Sequence, residues 1–458
     1  MMGRPILRCH SSLHPGVYLL VQRLLALVKP QSNLLSNATF VAMGSVASAV
    51  LGFLFWSIAS RRMTPDSVGL ASAAISAMNL VAAAAEFGLG TLLLGYGLSK
   101  RDEAPHLISA ALITGLIVTA VCSIGSLFIV QWLGLRISHV ISSYAVGALF
   151  VIGAVATGLS RLIDSVLTGC LISSWRMYRE FVFSAVKLTL LLVTLAPVLA
   201  LHQVSAVLVV WVVALSISIS FVGTVGSWRS GLLLRAPDFG LLISLLPKSF
   251  GHHFLNLVAS APAIAMPLLV AELLSPEVNA AFFMTWMILQ VILLAPASLA
   301  TALYAVGPLK SDSMTDGPTD RLRISLAASI VMCLVGALGF HVFLNPLLEL
   351  INPLFSQIGG PSLKYLGLGM FAESAKYHYI AVMRLQTRMW RGSVLLAVVG
   401  ILEILGASAG GMIAGLPGLV FGWLMTVGVQ AVLMLPTLLC ASRVVFCSTV
   451  IGRDGGGC

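Results

Sequence analysis

Residues 59–71 read ASRRMTPDSVGLA. They end one long apolar run and begin another, and their order marks the turn between two helices. The pattern returns once, as SPEV at 275–278. The two turns lie 211 residues apart, closing to 210 at Val68 and Val278. At 210 Thr91 also meets Thr301, and Gly97 meets Gly307. Farther on, an offset of 212 superposes Arg176, Met177 and Arg179 on Arg388, Met389 and Arg391. Polar matches at a nearly constant offset imply a duplicated chain.

The surrounding composition says what was duplicated. Of 458 residues, 59% are hydrophobic and 9% are charged, against roughly 25% charged in a soluble domain. Mean hydropathy is +1.02. A water-soluble fold cannot hide that much apolar surface, because more than half of a folded protein's surface faces solvent. Soluble enzymes, disordered chains and disulfide scaffolds are excluded. An all-α polytopic membrane protein remains. The net charge of +10 fits cationic loops, and no nucleic-acid-binding signature accompanies it. Seven cysteines show no metal spacing. No P-loop, HExxH or GxSxG with a plausible triad is present, so no catalytic residue, metal or cofactor is expected and the chain does not read as an enzyme. Gly410-Gly411 reads as a helix-packing surface.

Runs of about 20 apolar residues predict twelve crossings. Six lie near 37–60, 68–97, 106–133, 140–170, 180–201 and 204–226. Six more lie near 243–271, 278–307, 322–345, 361–383, 392–414 and 417–441. With the N-terminus inside, 19 of the 26 Lys and Arg fall in cytoplasmic segments, 4 outside and 3 within spans. That bias supports twelve spans with both termini cytoplasmic. The expected organisation is a cytoplasmic arm with an interfacial helix (1–36), a six-helix lobe (37–226), a linker (227–242), a second lobe (243–441) and a cytoplasmic tail (442–458). An even number of crossings per half makes the repeat parallel. Such bundles suit transport by alternating access, with substrate bound between the lobes.

Charges inside the membrane mark a partner, a cavity or a pathway. At the offset of 212, Arg161 aligns with Glu373 and Asp164 with Lys376. Each half thus carries an acid and a base three residues apart on one helix face. Each pair either neutralises itself or faces the central cavity. Glu373, Lys376 and Arg384 share a stripe running toward the cytoplasm. Lys187 has no acid nearby in sequence; it either snorkels to the headgroups or serves the cavity. Glu86 and Glu403 are candidates for protonation, pairing or a coupling-cation site. His252 and His253 point about 100° apart on a helix, a poor arrangement for joint ligation. His341 reads as structural.

The stretch 37–96 resembles the opening of the polysaccharide-biosynthesis flippases of the multidrug/oligosaccharidyl-lipid/polysaccharide (MOP) superfamily. The likeness is carried by ASRR (59–62), MTPDSVGLA (63–71) and EFGLGTLL (86–93). The chain departs from that family's turn at Thr64 and Val68, and from its acid–Leu–Gly close at Glu86-Phe87-Gly88. The resemblance implies a flippase in a bacterial inner membrane that moves a polyprenyl-pyrophosphate-linked glycan to the outer leaflet. Polysaccharide polymerases and glycosyltransferases would be its partners. Arg161, Lys187, Lys376 and Arg384 are then candidates for holding pyrophosphate, and Glu86, Asp164 and Glu373 for exchanging a cation. The alternative on the same fold is a multidrug antiporter, which should show an acidic, aromatic-lined cavity.

Overall fold

A computed structural model describes residues 15–96, 103–141, 143–194, 203–226, 234–306 and 318–451. Among them the secondary structure is helical, in fourteen α-helices. The first half of the chain holds α1 (Pro15–Arg62), α2 (Pro65–Ala85), α3 (Leu89–Tyr96), α4 (Ala104–Trp132), α5 (Arg136–Ile141), α6 (Tyr144–Gly169), α7 (Ser173–Thr194) and α8 (Gln203–Phe221). The second holds α9 (Phe239–Leu273), α10 (Pro276–Val306), α11 (Pro318–Ile351), α12 (Pro353–Leu363), α13 (Gly369–Leu385) and α14 (Met389–Ile451).

Nine helices among the described residues are long and apolar enough to cross a membrane. Three further crossings complete twelve. Helix α14 breaks at Ala414 and Gly415, where φ of +59° at the glycine turns the chain back on itself. Helices α7 and α13 also cross, although their charges lower their hydropathy. The result is a polytopic bundle of two six-helix lobes. Its surface inverts the rule for soluble proteins, since the exposed face of α11 carries Ile324, Val331, Val335, Leu338 and Val342. These side chains belong against acyl tails.

The expected boundaries need two adjustments. The fifth crossing begins at Ser173 rather than near 180, because Arg176, Arg179 and Glu180 are ion-paired inside the bundle and do not form a loop. The tenth enters through α12 and a 3-10 turn at 364–368 before α13. Helix α1 runs from Pro15 into the first crossing without a break. Residues 1–14 of the arm, 227–233 of the linker and 452–458 of the tail lie outside the described residues.

The duplicated turns are built alike. Thr64 Oγ1 accepts the Ser67 N–H at 3.4 Å, and Ser275 Oγ accepts the Val278 N–H at 3.1 Å. The two turns also meet. The Asn279 side-chain amide donates to the Gly69 carbonyl at 2.8 Å and to Ser72 Oγ at 3.1 Å. Gly69 and Asn279 are equivalent positions of the repeat, 210 residues apart, so they touch where the pseudo-two-fold axis passes. Only glycine fits here, since a Cβ at Gly69 would overlap the Pro276 carbonyl.

Further polar contacts join the lobes at this same end. Arg61 donates to the Leu350 carbonyl at 2.6 Å, and Asn352 to the Ser60 carbonyl at 3.0 Å. Arg136 donates to the Leu274 carbonyl at 2.8 Å. Glu272 accepts the first two N–H groups of α5, those of Arg136 and Ile137, at 2.5 and 2.8 Å. We call this the closed end. The opposite end, where α4, α7 and α14 begin, holds the second of two cavities described below and is called the open end.

Gly69→Ala should therefore act on the closed end alone. The methyl group meets backbone, which cannot swing aside, so we expect a loss of about 1–3 kcal/mol. Thermal unfolding in detergent reads the loss. Labelling of a cysteine placed at Ser72 reads the opening; unchanged stability and labelling would contradict the contact.

Candidate functional site

Helix α7 organises the first cavity. Arg176, Arg179, Glu180, Phe183 and Lys187 recur at helical spacing and share one face. Arg179 forms a two-pronged ion pair with Asp164 of α6, at 2.7 and 2.5 Å. Arg176 pairs with Glu180 at 3.0 Å. Glu180 fits because α1 offers Gly44 opposite its carboxylate. One helix over, Arg161 reaches Glu86 at 3.2 Å. The acid and base of α6 therefore do not pair with each other. Each has found an opposite charge on a neighbouring helix.

Lys187 is different. It sits fourteen residues into α7, about 21 Å along the helix, which is mid-membrane depth. It is 3% exposed. Its Nζ lies 4.5 Å from the Phe183 ring centre, 4.8 Å from Trp211 and 5.5 Å from Phe55. Among the described residues it has no carboxylate and no hydrogen-bond acceptor within range. The ammonium thus faces three aromatic rings and nothing anionic.

Beside this cage lies a cavity of about 430 Å³. Arg161, Arg179 and Glu180 line it with Phe183 and Trp211 of the cage. Its lateral walls are Ser45 and Ser48 of α1 and Gln290 and Leu294 of α10. Each carboxylate near it, Glu86, Asp164 and Glu180, is already held by an arginine.

The second lobe treats its equivalent pair otherwise. Lys376 binds Glu373 of its own helix at 2.6–2.7 Å. Glu403 accepts from Trp423 Nε1 at 2.8 Å. All three ionisable groups are buried, and none lines this cavity or the second one. The first lobe has Glu86 where the second has Pro296, at the offset of 210. Without that carboxylate, Glu373 and Lys376 have each other. Arg391, the counterpart of Arg179, stays exposed.

Arg384 lies elsewhere again. It belongs to a second cavity, of about 680 Å³, with His252, Asn256 and Tyr304. The stripe expected to link it with Lys376 is interrupted, because Tyr379 between them is buried. The adjacent histidines part company too. His252 lines the second cavity, and His253 is buried toward Glu86 and Arg161.

Two site features escaped the sequence reading. Arg176 and Arg179 fall between the expected fourth and fifth crossings, and nothing in the sequence reading points to the aromatic cage. The spacing of charged and aromatic residues along 176–187 carried the signal for both.

No family model and no curated protein matches the sequence. Solved structures do match the fold. The inward-facing conformation of a multidrug resistance MATE family transporter of the MOP superfamily superposes with a TM-score of 0.65 and 13% identity. The match covers 90% of this chain and 98% of that one. This is the fold of the MOP-superfamily transporters. A MOP superfamily transporter from Pyrococcus furiosus gives 0.64 at 16% identity, over 90% and 96% of the two chains. Its structure is described by a reversed polarity of the binding pocket that suggests a different function. An outward-facing MATE transporter gives 0.63 at 14%, over 93% and 97%.

The ion pairs differ in what they do for stability. Asp164→Asn strips Arg179, which is 4% exposed, of its carboxylate, and should cost about 3–5 kcal/mol. Arg161 has 42% of its side chain exposed, so Arg161→Gln should cost about 1 kcal/mol or less. Melting temperatures of the two variants in one detergent check the order; a larger loss for Arg161→Gln would contradict the geometry.

Proposed function

We propose that this chain is a secondary transporter that carries an anionic, lipid-linked oligosaccharide, of the polyprenyl-pyrophosphate class, between membrane leaflets. The observation that carries the reading is Lys187: a buried ammonium, unpaired among the described residues, beside a cavity whose carboxylates are all engaged. A diphosphate supplies the missing negative charge. Arg161, only partly buried, supplies a planar fork for the same group.

In this reading the diphosphate draws Arg161 from Glu86. The released carboxylate then takes up a proton or another cation, which couples substrate to ion. Asp164 acts by holding Arg179, and Glu373 and Lys376 brace the second lobe. The closed end faces outward and the cationic open end faces the cytoplasm, with both termini there, as the loop charges favour. In a bacterial plasma membrane such a carrier would work beside glycosyltransferases or a polysaccharide polymerase.

A second reading is multidrug extrusion. The structural neighbours favour it, since two of those described above are MATE family multidrug transporters. An expelled organic cation needs a free carboxylate; near the first cavity Glu86, Asp164 and Glu180 are each paired with an arginine, Glu180 through Oε1 alone. The Pyrococcus furiosus structure, with its reversed pocket polarity, supports the idea that one fold serves substrates of either sign.

Lys187→Met separates the readings. The methionine keeps the packing and removes the charge, so the protein should fold at least as well as the wild type. Translocation of a fluorescent polyprenyl-pyrophosphate saccharide in proteoliposomes should fall at least tenfold, and efflux of ethidium should be absent from both proteins. Wild-type translocation in Lys187→Met, or ethidium efflux that the variant retains, would overturn the anionic reading.

A further inference from the structure

The second cavity shares no lining residue with the first. It lies at the end of the bundle where α13 finishes. Its polar lining is Arg384, His252, Asn256, Tyr304, Ser249 and Thr91, with no carboxylate. Thr91 comes from α3 of the first lobe, and the others from α9, α10 and α13 of the second. A molecule bound there touches both lobes.

Arg384 sets the sign of this space. It donates to Asn256 Oδ1 and lies over the Tyr304 ring, 5.7 Å from its centre. Both contacts fix the direction of the guanidinium, and neither neutralises it. No carboxylate among the described residues is within ion-pair range of it. Its Nε is buried without a hydrogen-bond acceptor. A held, uncompensated guanidinium fits a tetrahedral oxyanion, which accepts several N–H bonds at once. The volume, about 680 Å³, falls in the usual range for a ligand site.

We infer that this cavity is a separate binding site for a phosphate-bearing headgroup, a station at the transporter's mouth distinct from the one at Lys187. The inference rests on the reading of the chain as a carrier of an anionic amphiphile. It adds an order of events: the headgroup meets Arg384 at the membrane surface and passes inward to Arg161 and Lys187. A site built from both lobes also reports occupancy to the lobe interface before the substrate reaches mid-membrane.

The test uses the full chain in nanodiscs of neutral lipid, titrated with inorganic pyrophosphate and, separately, with a short-chain polyprenyl phosphate. The wild type should bind two equivalents. Arg384→Gln should weaken one of them about tenfold or more and leave the other, and Arg384→Lys should restore part of the loss. Gly95→Leu is the second variant. A Cβ at Gly95 meets nothing within 4 Å, so the larger side chain fills the cavity without straining the fold, and it should remove the same equivalent. Displacement of pyrophosphate by the polyprenyl phosphate at this site supports a lipid headgroup as its source. Binding of pyrophosphate that the lipid does not displace supports a free phosphate anion of the same chemistry. Two undiminished equivalents in both Arg384→Gln and Gly95→Leu, or no binding of either probe to the wild type, would overturn the inference. The Lys187 reading fails separately, if Lys187→Met keeps both equivalents while Arg384→Gln loses one.

Discussion

An ammonium buried at mid-membrane depth with no acid beside it is the constraint around which the first lobe is arranged. Desolvating such a charge costs several kcal/mol. Three aromatic faces return part of that, at about 2 kcal/mol for a favourable desolvated contact. In the proposed reading the rest comes from an anion in the adjoining cavity. The surroundings keep that place free. Glu86 lies in the turn after α2, Asp164 on α6 and Glu180 on α7 itself, yet each is tied to an arginine instead of to Lys187. The network of ion pairs therefore holds these three carboxylates away from Lys187.

The two lobes show how a duplicated bundle acquires different halves. Their turns are capped alike, and equivalent residues Gly69 and Asn279 touch at the axis. Their interiors diverge through few positions. Glu86 facing α6 lets Arg161 leave Asp164, which frees Asp164 for Arg179 and turns α7 into a charged wall. Pro296 in the corresponding place leaves Glu373 and Lys376 to neutralise each other inside a packed core with Trp423 and Glu403. One lobe thus presents charge to a cavity, while the other buries it. In the proposed reading, that asymmetry gives the lobes separate tasks, binding in the first and support in the second, with Arg384 at the rim.

The architecture was legible because it rests on long-range regularities. Twelve apolar runs, one repeated turn and an alternating cationic bias are each spread over many residues. The site was harder to read, because a crossing was judged by its apolar run. Helix α7 starts with Arg176, Arg179 and Glu180, whose ion pairs make them tolerable inside the bundle, and no local pattern reveals a pair formed with Asp164 from another helix. Lys187 was singled out correctly as lacking a local acid, but its depth followed from the start of α7 and shifted with it. The cage was invisible for a similar reason. Phe183 is a helical neighbour of Lys187, whereas Phe55 and Trp211 come from α1 and α8. Arg384 and Lys376 shared a stripe in sequence, yet packing around Tyr379 put them in different compartments.

The central claim is that the unanswered charge on Lys187 exists to meet a diphosphate. A structure of the protein with a polyprenyl-pyrophosphate lipid bound tests it most directly. The account requires phosphate density in contact with Lys187 Nζ and the Arg161 guanidinium, with Arg161 drawn away from Glu86. A lipid whose phosphates lie outside the cavity, with Lys187 still enclosed by its three rings and Arg161 still on Glu86, would contradict it.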